Sequence, residues 1–315
     1  IFSVTIPLNT DIPTVNFYVI AEEDGVTLID AGLDTEEAWE KLKQTLRAIG
    51  RDIGDIRRIL LTHHHIDHVG LTDRIASRGK ALVYAHPDAL PRLKRDKDFL
   101  LKRADFFEKL YREAGCGDAG RMQAEILRKK IDENEHLKIH ADIVPITETE
   151  ARSLGWQVLE TPGHAPDHVV FYRPGQKLLF SGDHVLPDVL SNALVEPDRE
   201  GNSMRSLTLH RQSFMKCAEL NIDTVYPGHG QPFHDMQAVI RRHLAGIEER
   251  ITKVKSAVSK QPKTPYEIAQ MLYPDKYLSV FTLVMSRVIG MLEELERRAE
   301  AVKEWDHHCW KYRAV

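Results

Sequence analysis

Short apolar runs recur along the chain, each closed by a polar turn carrying Gly, Pro or Asp. Val15–Ile20 and Val26–Ile29 are two of them, and the turn Glu22-Glu-Asp-Gly25 between them signals a hairpin. Ile59-Leu60-Leu61, Ala81–Tyr84, Arg152–Thr161, His168–Tyr172, Lys177–Phe180 and Asp223–Pro227 continue the series as strands. Between the runs the apolar spacing changes to that of a helix. Ala38, Leu42, Leu46 and Ile49 lie on one helical face, with Asp34 or Thr35 to cap the start and Gly50 to end it. Ile66–Ser77 reads as the next helix, stopped by Gly79. Strands alternating with helices require a layered α/β fold.

Two stretches depart from this alternation. Residues 87–135 are rich in Lys, Arg and Glu, with helical patterns at Phe99–Ala114 and Arg121–Ile131 broken by Gly115-Cys-Gly117. They read as a helical insertion between the halves of the fold, its aromatics Phe99, Phe106, Phe107 and Tyr111 packing the helices onto the body. Leu186–Arg205, rich in Pro, Asn and Asp, is placed as a loop bordering the substrate, and Ser206–Leu220 as a helix that carries His210. The spacing then predicts a long helix over Met236–Val258, a breaker at Gln261–Pro265, helices at Thr264–Leu272 and Leu278–Ala301, and two short strands around Ala301 and Cys309–Tyr312. The expected division is residues 1–235 as one large domain and 236–315 as a small helical one.

Candidate chemistry gathers where the apolar runs end. Thr62-His-His-His-Ile-Asp-His-Val-Gly70 holds His63, His65, Asp67 and His68 within six residues, directly after a strand. Residues two apart in extended backbone point the same way, so His63 and His65 share a side, while Asp67 and His68 approach after the turn. Imidazole and carboxylate together suit zinc, iron or manganese. His164 in Thr161-Pro-Gly-His, Asp183 after Phe180-Ser-Gly and His229 in Tyr226-Pro-Gly-His each follow a further strand-like run, and Asp30 ends the second strand of the hairpin. Strand ends are where α/β sheets place their sites.

This series, HxHxDH followed by a lone His, a lone Asp and a lone His, resembles the motifs of the metallo-β-lactamase superfamily. Within it the chain is similar to the binuclear hydrolases related to glyoxalase II and the lactonases, over about residues 14 to 235. The resemblance implies a four-layer αββα sandwich with two divalent metal ions, zinc first and iron or manganese as alternatives, at one edge where the sheets meet. It implies that His63, His65 and His164 hold one ion, that Asp67, His68 and His229 hold the other, and that Asp183 bridges them. His64 should point away, and Asp30 should orient the site from behind. A metal-bridging hydroxide would attack a carbonyl carbon of a thioester, lactone or related ester, with Asp67 as the catalytic proton acceptor and Tyr226 or His184 as candidates for protonating the leaving group. Two helices followed by a small hairpin resemble the winged-helix tail of one branch, a module suited to packing or homodimer formation.

Composition narrows the alternatives. The chain has 315 residues and a net charge of −4 from 43 basic and 47 acidic residues, which argues against nucleic acid as the partner and for a small-molecule substrate. An endoribonuclease gripping RNA with its tail is the competing reading, and a single-iron persulfide dioxygenase a third. The full HxHxDH set with Asp183 departs from the usual ligand pattern of β-lactamases, which argues against β-lactams. No apolar run approaches the roughly 20 residues of a membrane span. Cys116, Cys217 and Cys309 are too scattered for a disulfide framework and read as free thiols of a cytoplasmic protein.

Overall fold

The computed structural model describes residues 1–9, 12–198 and 200–315, so that Arg199 of the 186–205 loop lies outside the described residues. Strand β1 (Phe2–Pro7) pairs antiparallel with β2 (Thr14–Glu22), which turns through Glu22–Gly25 into β3 (Gly25–Ile29). Helix α1 (Glu36–Ala48) follows; the Thr35 hydroxyl caps it by accepting from the amide of Ala38. Strand β4 (Ile56–Leu60) leads through the His-rich loop into α2 (Ile66–Val69) and α3 (Thr72–Ala76), and β5 (Leu82–Ala85) comes next.

The single helix expected over Ile66–Ser77 is thus two short ones. The amides of Gly70 and Leu71 donate to the carbonyls of Gly32 and Ala31, not to the preceding helical turn, and this breaks the helix. A Cβ on Gly70 would lie 2.2 Å from the Asp34 nitrogen, so the two backbones touch only because residue 70 is glycine.

Helices α4 (Leu90–Leu93), α5 (Lys97–Glu113) and α6 (Gly117–Glu133) form the insertion. It falls within the first sheet and not between the two halves, because β6 (Ile143–Pro145) still pairs with β5. A three-residue strand is too short to show a period-two pattern. Phe107 and Tyr111 are buried, as expected of packing residues. Where Arg152–Thr161 reads as one strand, the chain forms α7 (Glu148–Ser153), nucleated by a capping box between Thr147 and Glu150, and only then β7 (Gln157–Glu160).

Strands β8 (Val169–Arg173) and β9 (Leu178–Gly182), helix α8 (Ser206–Ala218), and β10 (Thr224–Pro227) complete the second sheet and begin its helical cover. That cover continues with α9 (Met236–Ala257), α10 (Pro265–Leu272) and α11 (Phe281–Arg297), and the chain ends in the hairpin β11 (Ala301–Asp306) and β12 (Cys309–Ala314).

The sheets run in the orders β1-β2-β3-β4-β5-β6 and β10-β9-β8-β7. Alternate residues of each strand enter different cores. Tyr18, Ile29, Leu60, Tyr84, Phe171 and Phe180 meet between the sheets. Their neighbours Phe17, Leu28, Ile59 and Val83 face α1, whereas Val170, Leu179 and Val225 face α8, α9 and α11. The period of two therefore builds the four layers of an αββα sandwich, in which both sheets are covered on both faces. The segment from residue 236 onward shares its core with the outer face of the second sheet. Among the described residues no helix is long and apolar enough to cross a membrane.

A buried histidine cluster under α8 makes this packing pH-sensitive. His210 and His243 are 0% and 3% exposed and flank Phe214 at ring-centroid distances of 4.5 and 5.3 Å. Burial holds the pKa of His210 well below the usual imidazole value and that of His243 at about 4, where the charge of Arg242 adds to the effect. Above pH 6.5 both rings are neutral whether the chain is folded or not, and their contribution to stability is complete. Below it the unfolded chain takes up protons that the folded one refuses. Stability then falls by up to about 1.4 kcal/mol per pH unit for each ring until the folded pKa is reached. Thermal midpoints at pH 7 and pH 5 should differ less for His210→Leu than for the parent; equal differences would show that the ring is not buried neutral.

Candidate metal centre

Five strand ends deliver the polar residues to one edge of the sandwich. β3 ends at Asp30, β4 at the His63–His68 loop, β9 at Asp183 and β10 at His229, while β7 leads into the His164 loop. The structure brings all seven candidate donors together. One atom from each of His63, His65, His164 and Asp183 lies within 4.8 Å of the others, as does one from each of Asp67, His68 and His229. Asp183 reaches both groups: its carboxylate is 3.4 Å from Nε2 of His164, and 3.2 Å from Nε2 of both His68 and His229.

Four of the five imidazoles are turned by a bond to the far side. His63 Nδ1 is 3.0 Å from the Thr62 hydroxyl, and His68 Nδ1 is 2.8 Å from Asp30 Oδ2. The Nδ1 atoms of His164 and His229 donate to the carbonyls of Asn192 (3.1 Å) and Thr14 (2.5 Å). With Nδ1 turned outward as donor, Nε2 of each of these four rings faces inward, the orientation that a metal requires. His65 turns Nδ1 inward, 2.9 Å from Nε2 of His63 and 3.0 Å from that of His164.

Asp30 is the organiser behind the loop. Its backbone takes φ +62°, a region that Asp tolerates better than most residues. In return its buried carboxylate accepts from the amide (2.7 Å) and hydroxyl (2.9 Å) of Thr62 as well as from His68.

The electrostatics match a donor set awaiting cations. Burial, with neighbouring histidines adding to it, holds His63 and His65 well below the usual imidazole range, so they stay neutral. His68 is also fully buried, but Asp183, Asp67 and Asp30 outweigh that and raise its pKa well above normal. Asp183 remains ionised despite burial because His68 and His229 face it. His68 Nε2 and Asp183 Oδ1 are buried with no hydrogen-bond partner of good geometry. A Cβ at Gly228 would stand 2.3 Å from that Oδ1, so only glycine leaves room for the carboxylate there. Orphaned donors of this kind, converging with neutral imidazoles, fit metal ions.

Asp67 is the more accessible carboxylate, its side chain 27% exposed against 8% for Asp183. His64 turns away from the cluster, as expected, and its Nδ1 donates to Asp167 at 2.6 Å. The two candidates for leaving-group acid do not reach the centre's open side. His184 is wholly buried and stacks on Phe214 at 4.4 Å, and Tyr226 stacks on Phe180 at 4.9 Å within the inter-sheet core. The 186–205 loop borders the site as scaffold: Asn192 holds His164, and the Ser191 hydroxyl donates to the Asp183 carbonyl.

One supporting residue was not singled out from the sequence. His168 Nε2 accepts from the amide of Asp183 at 3.1 Å while its Nδ1 meets the Thr161 hydroxyl at 2.8 Å, which anchors the bridging position from below. Its place four residues after His164 was the available signal.

Residues 11–229 match the family model of the metallo-beta-lactamase superfamily. The chain belongs to that superfamily. Among curated proteins it is similar to the probable metallo-hydrolase YqjP of Bacillus subtilis, with 29% identity over 97% of this chain and 95% of that one. The probable metallo-hydrolase YflN of the same organism is 24% identical over 76% of this chain and 88% of its own length. Two solved structures share the fold over nearly the whole chain. A metallo-beta-lactamase family protein from Thermus thermophilus aligns with TM-score 0.77 and 23% identity, covering 100% of this chain and 98% of that one. A beta-lactamase domain protein from Burkholderia ambifaria aligns with TM-score 0.78 and 21% identity, over 99% and 91%. A superfamily fold carrying this His/Asp cluster implies divalent metal ions.

Proposed function

We propose that this metal-dependent hydrolase cleaves a thioester, lactone or related carboxylic ester. The observation that carries the reading is the double donor cluster with Asp183 between its halves, every histidine in it presenting an inward nitrogen. His63, His65 and His164 would hold one ion, Asp67, His68 and His229 the other, and Asp183 both; the imidazole-rich set favours zinc. When bound, the ions supply Lewis acidity and bring the pKa of water toward neutrality.

The protein's own groups do the rest. Asp30 and Thr62 fix the histidines at the strand ends, and the partly exposed Asp67 accepts the proton released as water adds to the carbonyl carbon. The C–S or C–O bond then breaks, and the proton leaves with the thiol or alcohol. The net charge of −4 favours a small substrate over RNA.

Initial rates of the zinc-loaded protein on an acyl thioester, an acyl lactone and single-stranded RNA test the reading. Turnover of either carbonyl substrate is expected, lost on dialysis against a chelator and restored by zinc. RNA cleavage beside idle carbonyl substrates would overturn it.

A further inference from the structure

The C-terminal helices have no part in the chemistry described so far, yet one of them reaches the metal centre through an irregular strap. Residues 191–195 belong to no helix or strand, so no ladder of backbone bonds places them. The strap nevertheless bears on two of the donors. The Ser191 hydroxyl donates to the carbonyl of Asp183, and the Asn192 carbonyl accepts from Nδ1 of His164 at 3.1 Å. The Leu194 amide donates to the carbonyl of Gly163, just before that histidine, at 3.0 Å.

Helix α11 holds the strap from behind. Its Ser286, 3% exposed, accepts from the amide of Val195 at 3.2 Å. Its Arg287 closes a fork on a single atom: Nε and Nη2 donate to Oδ1 of Asn192 at 2.9 and 2.7 Å. Two charge-assisted bonds to one amide oxygen fix the Asn192 side chain, and with it the direction of the carbonyl that His164 meets. Burial, with Arg250 adding to it, lowers the pKa of Arg287. A partly desolvated guanidinium ordinarily pairs with a carboxylate; among the described residues this one has the neutral amide of Asn192 instead.

We propose that Arg287 is a positioning residue of the metal centre, acting through Asn192 to hold the Nδ1 side of His164. The C-terminal segment thereby sets how tightly the half built from His63, His65 and His164 binds its ion. The proposal rests on His164 being a donor to that ion. A carbonyl on Nδ1 fixes the ring and makes the opposite nitrogen a better donor, and losing such an outer partner typically costs about 10- to 100-fold in metal affinity.

The test measures the affinity of each zinc equivalent by competition with a chromophoric chelator, and the visible spectrum of the cobalt-substituted protein. Arg287→Met, which keeps the stem and removes the fork, should weaken one equivalent about 10- to 100-fold and leave the other near its parental value. The cobalt bands of the weakened half should shift, which a general loss of stability would not produce. Arg287→Lys, which keeps the charge but loses the fork, should recover part of the affinity. Asn192→Ala leaves the backbone carbonyl in place and should match Arg287→Met, and the double variant should be no weaker than either single one.

Additive losses in the double variant would show that Arg287 does not act through Asn192 and would overturn the proposal. Unchanged affinities in Arg287→Met would do the same, as would equal weakening of both equivalents, the mark of a merely structural role. If Arg287→Met does not fold, Asn192→Ala decides, because parental affinities in it would remove the path from α11 to His164. His164→Ala tells the two failures apart. Parental binding of both ions there sinks the donor assignment, whereas loss of one ion there beside parental affinities in Arg287→Met sinks only the role of Arg287.

Discussion

Asp183→Ala should lower ester turnover by at least about a thousandfold while the chain stays folded. Among the described residues Asp183 is the one carboxylate within reach of both donor groups, 3.2 to 3.4 Å from Nε2 of His164, His68 and His229. Its loss removes a donor from both halves of the centre and leaves His68 and His229 facing each other without the anion between them. If the ions supply several kcal/mol of transition-state stabilisation, losing their shared donor costs on the order of 4 kcal/mol, which is about three decades in rate.

The fold should survive, because Asp183 is held through its backbone: its amide donates to His168 and its carbonyl accepts from Ser191. Bound metal by elemental analysis should fall in parallel with the rate. An Asp183→Ala protein with near-parental turnover, its metal content controlled, would rule out the shared-donor scheme.

The reason so much of this edge can be read from the chain lies in its construction. The donors sit in short loops that directly continue strands, so that each motif is contiguous in sequence and the preceding apolar run announces it. Four of the seven come from a single loop. The unbroken apolar runs of the strands likewise announce sheets covered on both faces. What stays hidden depends on partners distant along the chain. The break at Gly70 arises because its amide finds the carbonyl of Gly32, and β6 exists because Ile143–Pro145 lies beside β5, although three residues carry no pattern. Arg152, Trp156 and Thr161 suggest one strand until the Thr147 capping box is seen to claim the first of them for a helix. His184 and Tyr226 lie near the ligands in sequence, but the alternation of strand faces and the packing of Phe214 take them into the cores.

Glu196 is the clearest case of a residue that only the fold makes important, and Glu196→Gln should destabilise the protein by about 3 to 5 kcal/mol. Its side chain is 8% exposed, and it accepts from Arg92 of α4, about a hundred residues earlier, and from Arg103 of α5 through both Nε and Nη2. Burial opposes its ionisation, but Arg103 and then Arg92 prevail and bring its pKa down to about 2. Removing the acid leaves two guanidinium groups without their hydrogen-bonded carboxylate, with Asp167 still bearing on Arg92, and breaking one side of a buried ion pair costs this much even where the intact pair adds little.

The sign with pH follows. A folded pKa below the unfolded value near 4.5 means that the stabilisation is complete above pH 4.5 and is lost as pH falls towards 2. The gap between parent and Glu196→Gln in urea midpoint should therefore be widest near neutrality and close progressively below pH 4.5. The insertion should loosen first, since Glu196 ties both of its first two helices to the 186–205 loop, which also carries Asn192 against His164. Protection of α4 and α5 amides from exchange would then drop before that of the β-sheets. A gap that stays constant from pH 7 to pH 3 would mean that the carboxylate is not ionised in the folded protein, and that the two arginines are compensated by something else.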